Sequence, residues 1–110
     1  MQTSLLLLLL AFTPEWKIVE ATAYCGGPCK TCGTTGTTRT GRDADSRGVA
    51  VDPAVIPLGS RLDIPGYGSW VRADDTGGAI KGDRIDLRMG HREAREFGRQ
   101  TLRVRIWRKK

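Results

Sequence analysis

The stretch Asp74–Leu87, DDTGGAIKGDRIDL, is the most informative part of the chain. Its fourteen residues include four aspartates, one lysine, one arginine and three glycines. Such a mixture is typical of a surface turn, yet strand-like residues precede it in WVRA and close it at Ile85 and Leu87. Charged side chains at the ends of buried strands often form a site, so these aspartates are the first functional candidates.

Outward from this stretch, the chain consists of short strands between turns. It has 110 residues, with 14 glycines and 5 prolines, which suits one small domain rich in turns. Alternating apolar and polar residues predict about six strands, and GHREAREFG predicts one short helix that ends at Gly98. This spacing predicts an all-β barrel. The predicted strands are WKIVEATAY, VAVDP, RLDI, SWVRAD, DRIDLR and TLRVRIWRKK.

The N-terminal segment is apolar over Leu5–Phe12. Eight residues are too few to span a bilayer, which needs about twenty, but they fit the apolar part of a secretory signal. The alternative is a buried N-terminal segment. We therefore assign residues 1–13 to a signal peptide or apolar segment and residues 16–110 to the barrel domain. We expect an exported protein of the cell envelope or extracellular space, without a stable membrane span.

The formal net charge of +6 favours an anionic partner such as nucleic acid, anionic lipid or an acidic wall polymer. The densest basic run, RVRIWRKK, is interpreted as the solvated face of a strand, so nucleic acid is not the expected partner. GGAIKG lacks the spacing of a P-loop. The only histidine, His91, lies on the predicted helix with no obvious nucleophile, which disfavours a Ser–His–Asp hydrolase.

Three cysteines, Cys25, Cys29 and Cys32, lie in one long loop rich in glycine and threonine. The odd count allows one disulfide with a thiol left over. A zinc site would need all three thiolates and His91 as the fourth ligand. The pairing stays open on sequence, and we predict no metal and no cofactor.

Three aspartates stand where strand residues give way to turns or to a polar face. Asp52 and Asp75 end strands, and alternation places Asp86 on the face opposite Ile85 and Leu87. If these carboxyls converge, repulsion and partial burial raise the pKa of one of them. A carboxyl protonated near neutral pH can protonate a glycosidic oxygen. The alternative is that these aspartates only cap turns.

In these residues the sequence resembles the three-aspartate (3D) domain of bacterial envelope proteins. The resemblance implies a six-stranded double-psi β-barrel, as in the catalytic domain of membrane-bound lytic transglycosylase A, rare lipoprotein A and stationary-phase survival proteins. It runs from Ala21 to the C-terminus. The motifs that carry it are ATAYC, TTRTG, GVAVDPAVIPLGS, IPGYG, DDTGGAIKGDRIDL and GHREAREFG.

The resemblance also implies a function. A lytic transglycosylase of this kind cleaves the bond between N-acetylmuramic acid (MurNAc) and N-acetylglucosamine (GlcNAc) in peptidoglycan and leaves a 1,6-anhydro end. Asp86 is then the general acid and base, Asp75 tunes it, and Asp52 orders the floor of the site. The alternative is a non-catalytic, expansin-like glycan-binding module, and a monomer is expected in both cases. The substrate-binding positions implied are Thr22, Tyr24, Thr38, Thr76, Gly77, Gly78 and Lys81.

Overall fold

The computed structural model describes residues 12–25 and 47–109, which form a closed six-stranded barrel with one short helix. The strands follow one another around the barrel in the order β1-β5-β2-β4-β3-β6. This confirms the all-β barrel expected from the sequence. The elements in chain order are β1 (Phe12–Cys25), β2 (Val49–Ala50), β3 (Arg61–Ile64), β4 (Gly68–Asp75), β5 (Arg84–Met89), α1 (His91–Phe97) and β6 (Gln100–Lys109).

The long strand β1 has two partners and holds the barrel together. It pairs antiparallel with β6 along most of its length, from Phe12 opposite Lys109 to Ala21 opposite Gln100. Its C-terminal part pairs parallel with β5, where Thr22 lies opposite Asp86. The polar end of β1 is therefore placed directly beside Asp86.

The short strand β2 lies between β4 and β5. Ala50 is opposite Asp75 on β4 and opposite Asp86 on β5. The predicted strand VAVDP is shorter in the structure, because β2 ends at Ala50 and Asp52 lies after the strand. The carbonyl oxygen of Asp52 accepts hydrogen bonds from the N–H groups of Val55 and Ile56, which starts a turn at Pro53. Strand β3 closes the barrel by pairing with β4 and β6.

The barrel interior is filled by side chains that alternate with outward-facing polar residues. The alternation is clearest in β5, where Ile85 and Leu87 are fully buried, and in β6, where Val104 and Ile106 are. Burial of these aliphatic side chains is the main source of stability for so small a barrel. The core contains Val19, Ala21, Val49, Val51, Ile56, Leu62, Ile64, Tyr67, Val71, Ala73, Ile85, Leu87, Val104 and Ile106.

The helix α1 occupies the predicted segment. It begins after Gly90 and ends before Gly98, whose φ of 65° lies in the region that glycine adopts without strain. Phe97 packs against the core. Within residues 12–25 and 47–109, no helix has the length and apolar character required to cross a membrane.

The first strand is longer than the pattern predicted. It begins at Phe12 rather than at Trp16, so Phe12 and Thr13 belong to a strand although the sequence pattern places them in the apolar segment. Residues 1–11 lie outside the described residues, and their processing stays a prediction. Thr38, Cys29 and Cys32 also lie outside the described residues, so the predictions made for them stay predictions. Cys25 is buried at the end of β1.

Candidate functional site

Asp86 is held at the centre of the candidate site by its neighbours on β1 and β5. Ile85 and Leu87 point into the core, which turns the Asp86 carboxyl to the other face, where it is partly buried. The hydroxyl of Thr22 donates a hydrogen bond to Asp86 Oδ1 at 2.9 Å. Burial raises the pKa of Asp86 and the charge of Asp75 adds to the rise, while the Thr22 hydrogen bond and Arg84 oppose it. Asp86 therefore retains its proton to higher pH than an exposed aspartate.

Asp75 lies at the end of β4 and accepts two hydrogen bonds. The backbone N–H of Thr76 donates to Oδ1 at 3.0 Å, and the hydroxyl of Tyr24 donates to Oδ2 at 3.0 Å. Each carboxylate oxygen is thus fixed by a different element. Because Asp75 and Asp86 lie opposite the same residue, Ala50, on the two sides of β2, their side chains belong to one site.

The carboxylate of Asp52 accepts from other hydrogen-bond donors than those of Asp75 and Asp86 do. Its Oδ1 accepts from the backbone N–H of Ala54 at 3.0 Å and its Oδ2 from that of Gly82 at 2.9 Å. The hydrogen bonds from Gly82 and Ala54 lower the pKa of Asp52, and Lys81 adds a smaller lowering. Asp52 is therefore a poor acid, and it links the loop after β2 to the loop before β5. No contact that the structure shows among the described residues joins Asp52 to the other two aspartates, so we call Asp75, Asp86, Thr22 and Tyr24 the aspartate site.

A buried ion pair, which no sequence pattern indicates, packs behind the aspartate site. Arg88 donates to both carboxylate oxygens of Asp74, at 3.0 and 2.7 Å, and the two residues are 3% and 0% exposed. The same guanidinium donates to the hydroxyl oxygen of Tyr24 at 3.2 Å. Since Tyr24 accepts from Arg88, its own proton points to Asp75. The ion pair thereby orients the hydrogen bond that Asp75 receives.

The position of Asp74 follows from an irregularity between β2 and β4. Val49 lies opposite Ala73, but Ala50 lies opposite Asp75, so Asp74 is an extra residue on β4. An extra residue of this kind re-aims the side chains around it. Here it allows two consecutive aspartates to take different partners, Arg88 for Asp74 and Tyr24 for Asp75.

Two residues from the quoted motifs enclose the ion pair. A Cβ atom built on Gly48 would lie 2.5 Å from Asp74 Oδ1 and closer still to Arg88, so the Gly48 backbone packs directly on the pair. The Tyr67 hydroxyl is 2.6 Å from the carbonyl oxygen of Arg88 and accepts from the N–H of Gly48 at 3.2 Å. The motifs GVAVDP and IPGYG signalled these positions without revealing what they contact.

The predicted substrate-binding residues are distributed over and around the site. Thr22 and Tyr24 belong to it directly, and Thr76 contacts Asp75 through its backbone. The following loop is anchored by buried Ile80, whose N–H donates to the carbonyl oxygen of Gly77 at 3.0 Å. The exposed residues of this loop among the predicted positions are Gly78 and Lys81.

Most of the sequence of this barrel matches a family model. The model of the 3D domain matches residues 47–108, more than half of the chain. The chain belongs to the 3D-domain family. The matched range contains all three aspartates, whereas the β1 residues Thr22 and Tyr24 precede it.

This 3D domain is also similar to curated proteins of Bacillus subtilis (strain 168). It is 42% identical over 93 residues to the cell wall-binding protein YocH, covering 80% of this chain and 31% of that protein. It is 40% identical over 99 residues to YabE, which is named for cell wall shaping, covering 86% of this chain and 23% of that protein. It is 46% identical over 96 residues to the SPbeta prophage-derived uncharacterized protein YorM, covering 78% of this chain and 40% of that protein. The chain spans less than half the length of these relatives.

Proposed function

We propose that this 3D domain is a peptidoglycan lytic transglycosylase that cleaves the β-1,4 bond between MurNAc and GlcNAc. The observation that carries the proposal is the state of Asp86. Its carboxyl is partly buried, its pKa is raised, and it lies in one site with a second carboxylate. This is the arrangement that acid catalysis at a glycosidic oxygen requires.

In the first step Asp86 donates its proton to the glycosidic oxygen, and the bond from that oxygen to C1 of MurNAc breaks. Positive charge then develops at C1 and the ring oxygen of the sugar. The carboxylate of Asp75 is held by Tyr24 and Thr76 without needing to rearrange. A negative charge fixed in this way stabilises the developing positive charge.

In the second step the C6 hydroxyl oxygen of the same sugar bonds to C1. Its proton passes to the Asp86 carboxylate, which returns to its starting state. The products are a free GlcNAc 4-hydroxyl and a 1,6-anhydroMurNAc end. One group acts in turn as acid and base, so neither a metal nor a nucleophilic water is required.

The expected partner is the glycan strand of peptidoglycan. The net charge of +6 attracts a polymer that bears lactyl and peptide carboxylates, and Lys81, which is exposed and close enough to Asp52 to lower its pKa, can receive one. The names of YocH and YabE, which refer to wall binding and wall shaping, support a partner in the cell wall. We accordingly propose an exported monomer that acts in the cell envelope or outside the cell.

The second candidate is a non-catalytic, expansin-like module that binds and loosens wall glycan. The name of YocH, a wall-binding protein, favours it, and a barrel of one fold can serve either purpose. The two candidates differ in whether Asp86 transfers a proton.

Mass spectrometry of purified sacculi incubated with the protein separates them. The proposal expects anhydro-muropeptides from the parent and none from Asp86→Asn, while Glu96→Gln, which removes an exposed carboxylate on α1, retains activity. Products with reducing ends would make the protein a hydrolase. Binding without any product would establish the expansin-like module.

A further inference from the structure

One face of β1 connects the aspartate site to a second exposed surface. Val19 and Ala21 point into the core, so Trp16, Ile18, Glu20, Thr22 and Tyr24 share the outer face. This row ends at the aspartate site. It begins with two large apolar side chains, Trp16 and Ile18, that are 56% and 58% exposed. Two adjacent apolar side chains with this exposure are unusual on a small soluble barrel and mark a contact surface.

Arginines from β6 complete this surface. Arg105 lies opposite Trp16 in the strand register, and Arg103 lies opposite Ile18. Their guanidinium carbons are 5.7 and 4.5 Å from the centre of the Trp16 ring. The Nε of Arg105 is buried and has no hydrogen-bond partner among the described residues. We call Trp16, Ile18, Arg103 and Arg105 the Trp16 surface.

A shallow depression borders the Trp16 surface at Ile18. Its volume is about 510 Å³, and it extends from Ile18 to Arg84, the residue two before Asp86. Trp16 precedes Thr22 by six strand residues, which corresponds to about 20 Å along β1. A single sugar ring cannot cover that distance, so an occupant of the whole face is a polymer. The other residues that line the depression are Val19, Glu20, Ala79, Lys81, Asp83 and Thr101.

The chemistry of the face indicates a glycan with carboxylate substituents. The flat indole of Trp16 suits the C–H face of a sugar ring, and the guanidinium groups of Arg103 and Arg105 suit carboxylates. Tryptophan and arginine on a sheet are also typical of single-stranded nucleic acid binding. However, the row ends at the aspartate site, where the negative charge of Asp75 repels a phosphate backbone but accepts neutral sugar rings.

We propose that the Trp16 surface is a second glycan-binding site, which holds the peptidoglycan strand about 20 Å from the bond to be cleaved. It rests on the proposed function only in the choice of polymer. Its contribution is to retain long strands on the barrel. Short fragments, which cannot reach from the aspartate site to Trp16, gain nothing from it.

Co-sedimentation with purified sacculi tests this site in the non-cleaving Asp86→Asn background. Trp16→Ala should weaken binding at least about fivefold, the usual loss when an aromatic anchor is truncated, and Trp16→Phe should restore most of it. Arg103→Gln should also weaken binding, while Arg92→Gln, an exposed arginine on α1, should not. Thermal unfolding establishes that each variant is folded.

Turnover on two substrates separates this site from the proposed reaction. With Asp86 intact, Trp16→Ala should lose activity on sacculi but retain it on a soluble tetrasaccharide muropeptide. If the parent releases no anhydro product and Trp16→Ala still weakens binding, the reaction is wrong and the binding site stands. Unchanged binding of Trp16→Ala to sacculi overturns the site, as does a loss confined to a labelled single-stranded DNA.

Discussion

Asp74 and Arg88 form a fully buried ion pair joined by two hydrogen bonds, and the next residue along the chain is Asp75 of the aspartate site. Arg88 also donates to Tyr24, which donates to Asp75. The Asp75 carboxylate is therefore positioned, through Tyr24, by the buried pair of Asp74 and Arg88. Loss of the pair would disturb both the fold and the site.

Replacement of Arg88 tests the structural part of this relationship. Arg88→Met leaves the Asp74 carboxylate buried without its cation, which should lower the free energy of unfolding by about 3–5 kcal/mol. Arg99→Met is the matched control, because Arg99 pairs with Glu20 on the exposed surface and should change it by less than about 1 kcal/mol. Denaturant unfolding measures both. Equal effects of the two replacements would contradict the importance of the buried pair.

Gly48 should tolerate no side chain, because its backbone lies on the same ion pair. Gly48→Ala forces Asp74 and Arg88 apart and should destabilise the barrel by about 1–3 kcal/mol, the range for overpacking. Gly78→Ala is the control, since a Cβ there meets no atom within 4 Å. The midpoint of urea unfolding distinguishes the two. A Gly48→Ala protein as stable as the parent would show that the pair can move.

Asp86→Asn removes the proposed acid and base and should reduce anhydro-muropeptide release by at least about 10²–10⁴-fold. The rate is measured at saturating sacculi, with Glu96→Gln on α1 beside it as the control for a lost negative charge. Substantial release by Asp86→Asn would show that another group carries the proton.

The pH profile reports the surroundings of Asp86. Activity needs protonated Asp86 and should fall as pH rises through its raised pKa. Asp75→Asn removes a charge that raises this pKa, so the alkaline limb should move toward acid. Thr22→Val removes a hydrogen bond that lowers it, so the limb should move toward alkali. Identical limbs in parent, Asp75→Asn and Thr22→Val would exclude Asp86 as the titrating acid.

The same raised pKa has a consequence for stability. The folded state disfavours the ionised form of Asp86. The protonated carboxyl costs no stability at low pH, but the free energy of unfolding decreases as pH rises through the folded pKa of Asp86. Asp86→Asn carries no ionisable group there. The melting temperature of Asp86→Asn minus that of the parent should therefore increase as pH is raised from about 3.5, below the ordinary aspartate pKa, to 7. A constant difference across this range would mean that folding does not shift the pKa.

The parts of the fold that could be predicted are those encoded over a few neighbouring residues. The alternation in β5 and β6 and the helix ending before Gly98 follow from local patterns. The role of Asp74 could not be predicted, because it depends on an extra residue opposite a strand more than twenty positions earlier. The role of Arg88 could not be predicted for a related reason. Its partner Asp74 lies on β4, and the two residues meet only when the barrel has closed.

The candidate site shows the same division. Alternation correctly placed Asp86 on the face opposite Ile85 and Leu87. Its hydrogen bond with Thr22, 64 positions away, exists only because β1 and β5 pair in parallel. Asp52 and Asp75 look alike in sequence, yet Asp52 accepts from Gly82 in the loop before β5 and Asp75 accepts from Tyr24 in β1. No local pattern specifies either of these distant partners.

The two partners of β1 also govern how the barrel is assembled. Glu15 binds Arg108 although the two residues are 93 positions apart, so one edge of β1 stays open until β6 arrives. Contacts between such distant segments make folding slow, because loop entropy is lost before the pairing is gained. Until then a fourteen-residue strand carries unpaired backbone groups that can join another copy. The step that closes the barrel is thus also the step that protects the protein from self-association.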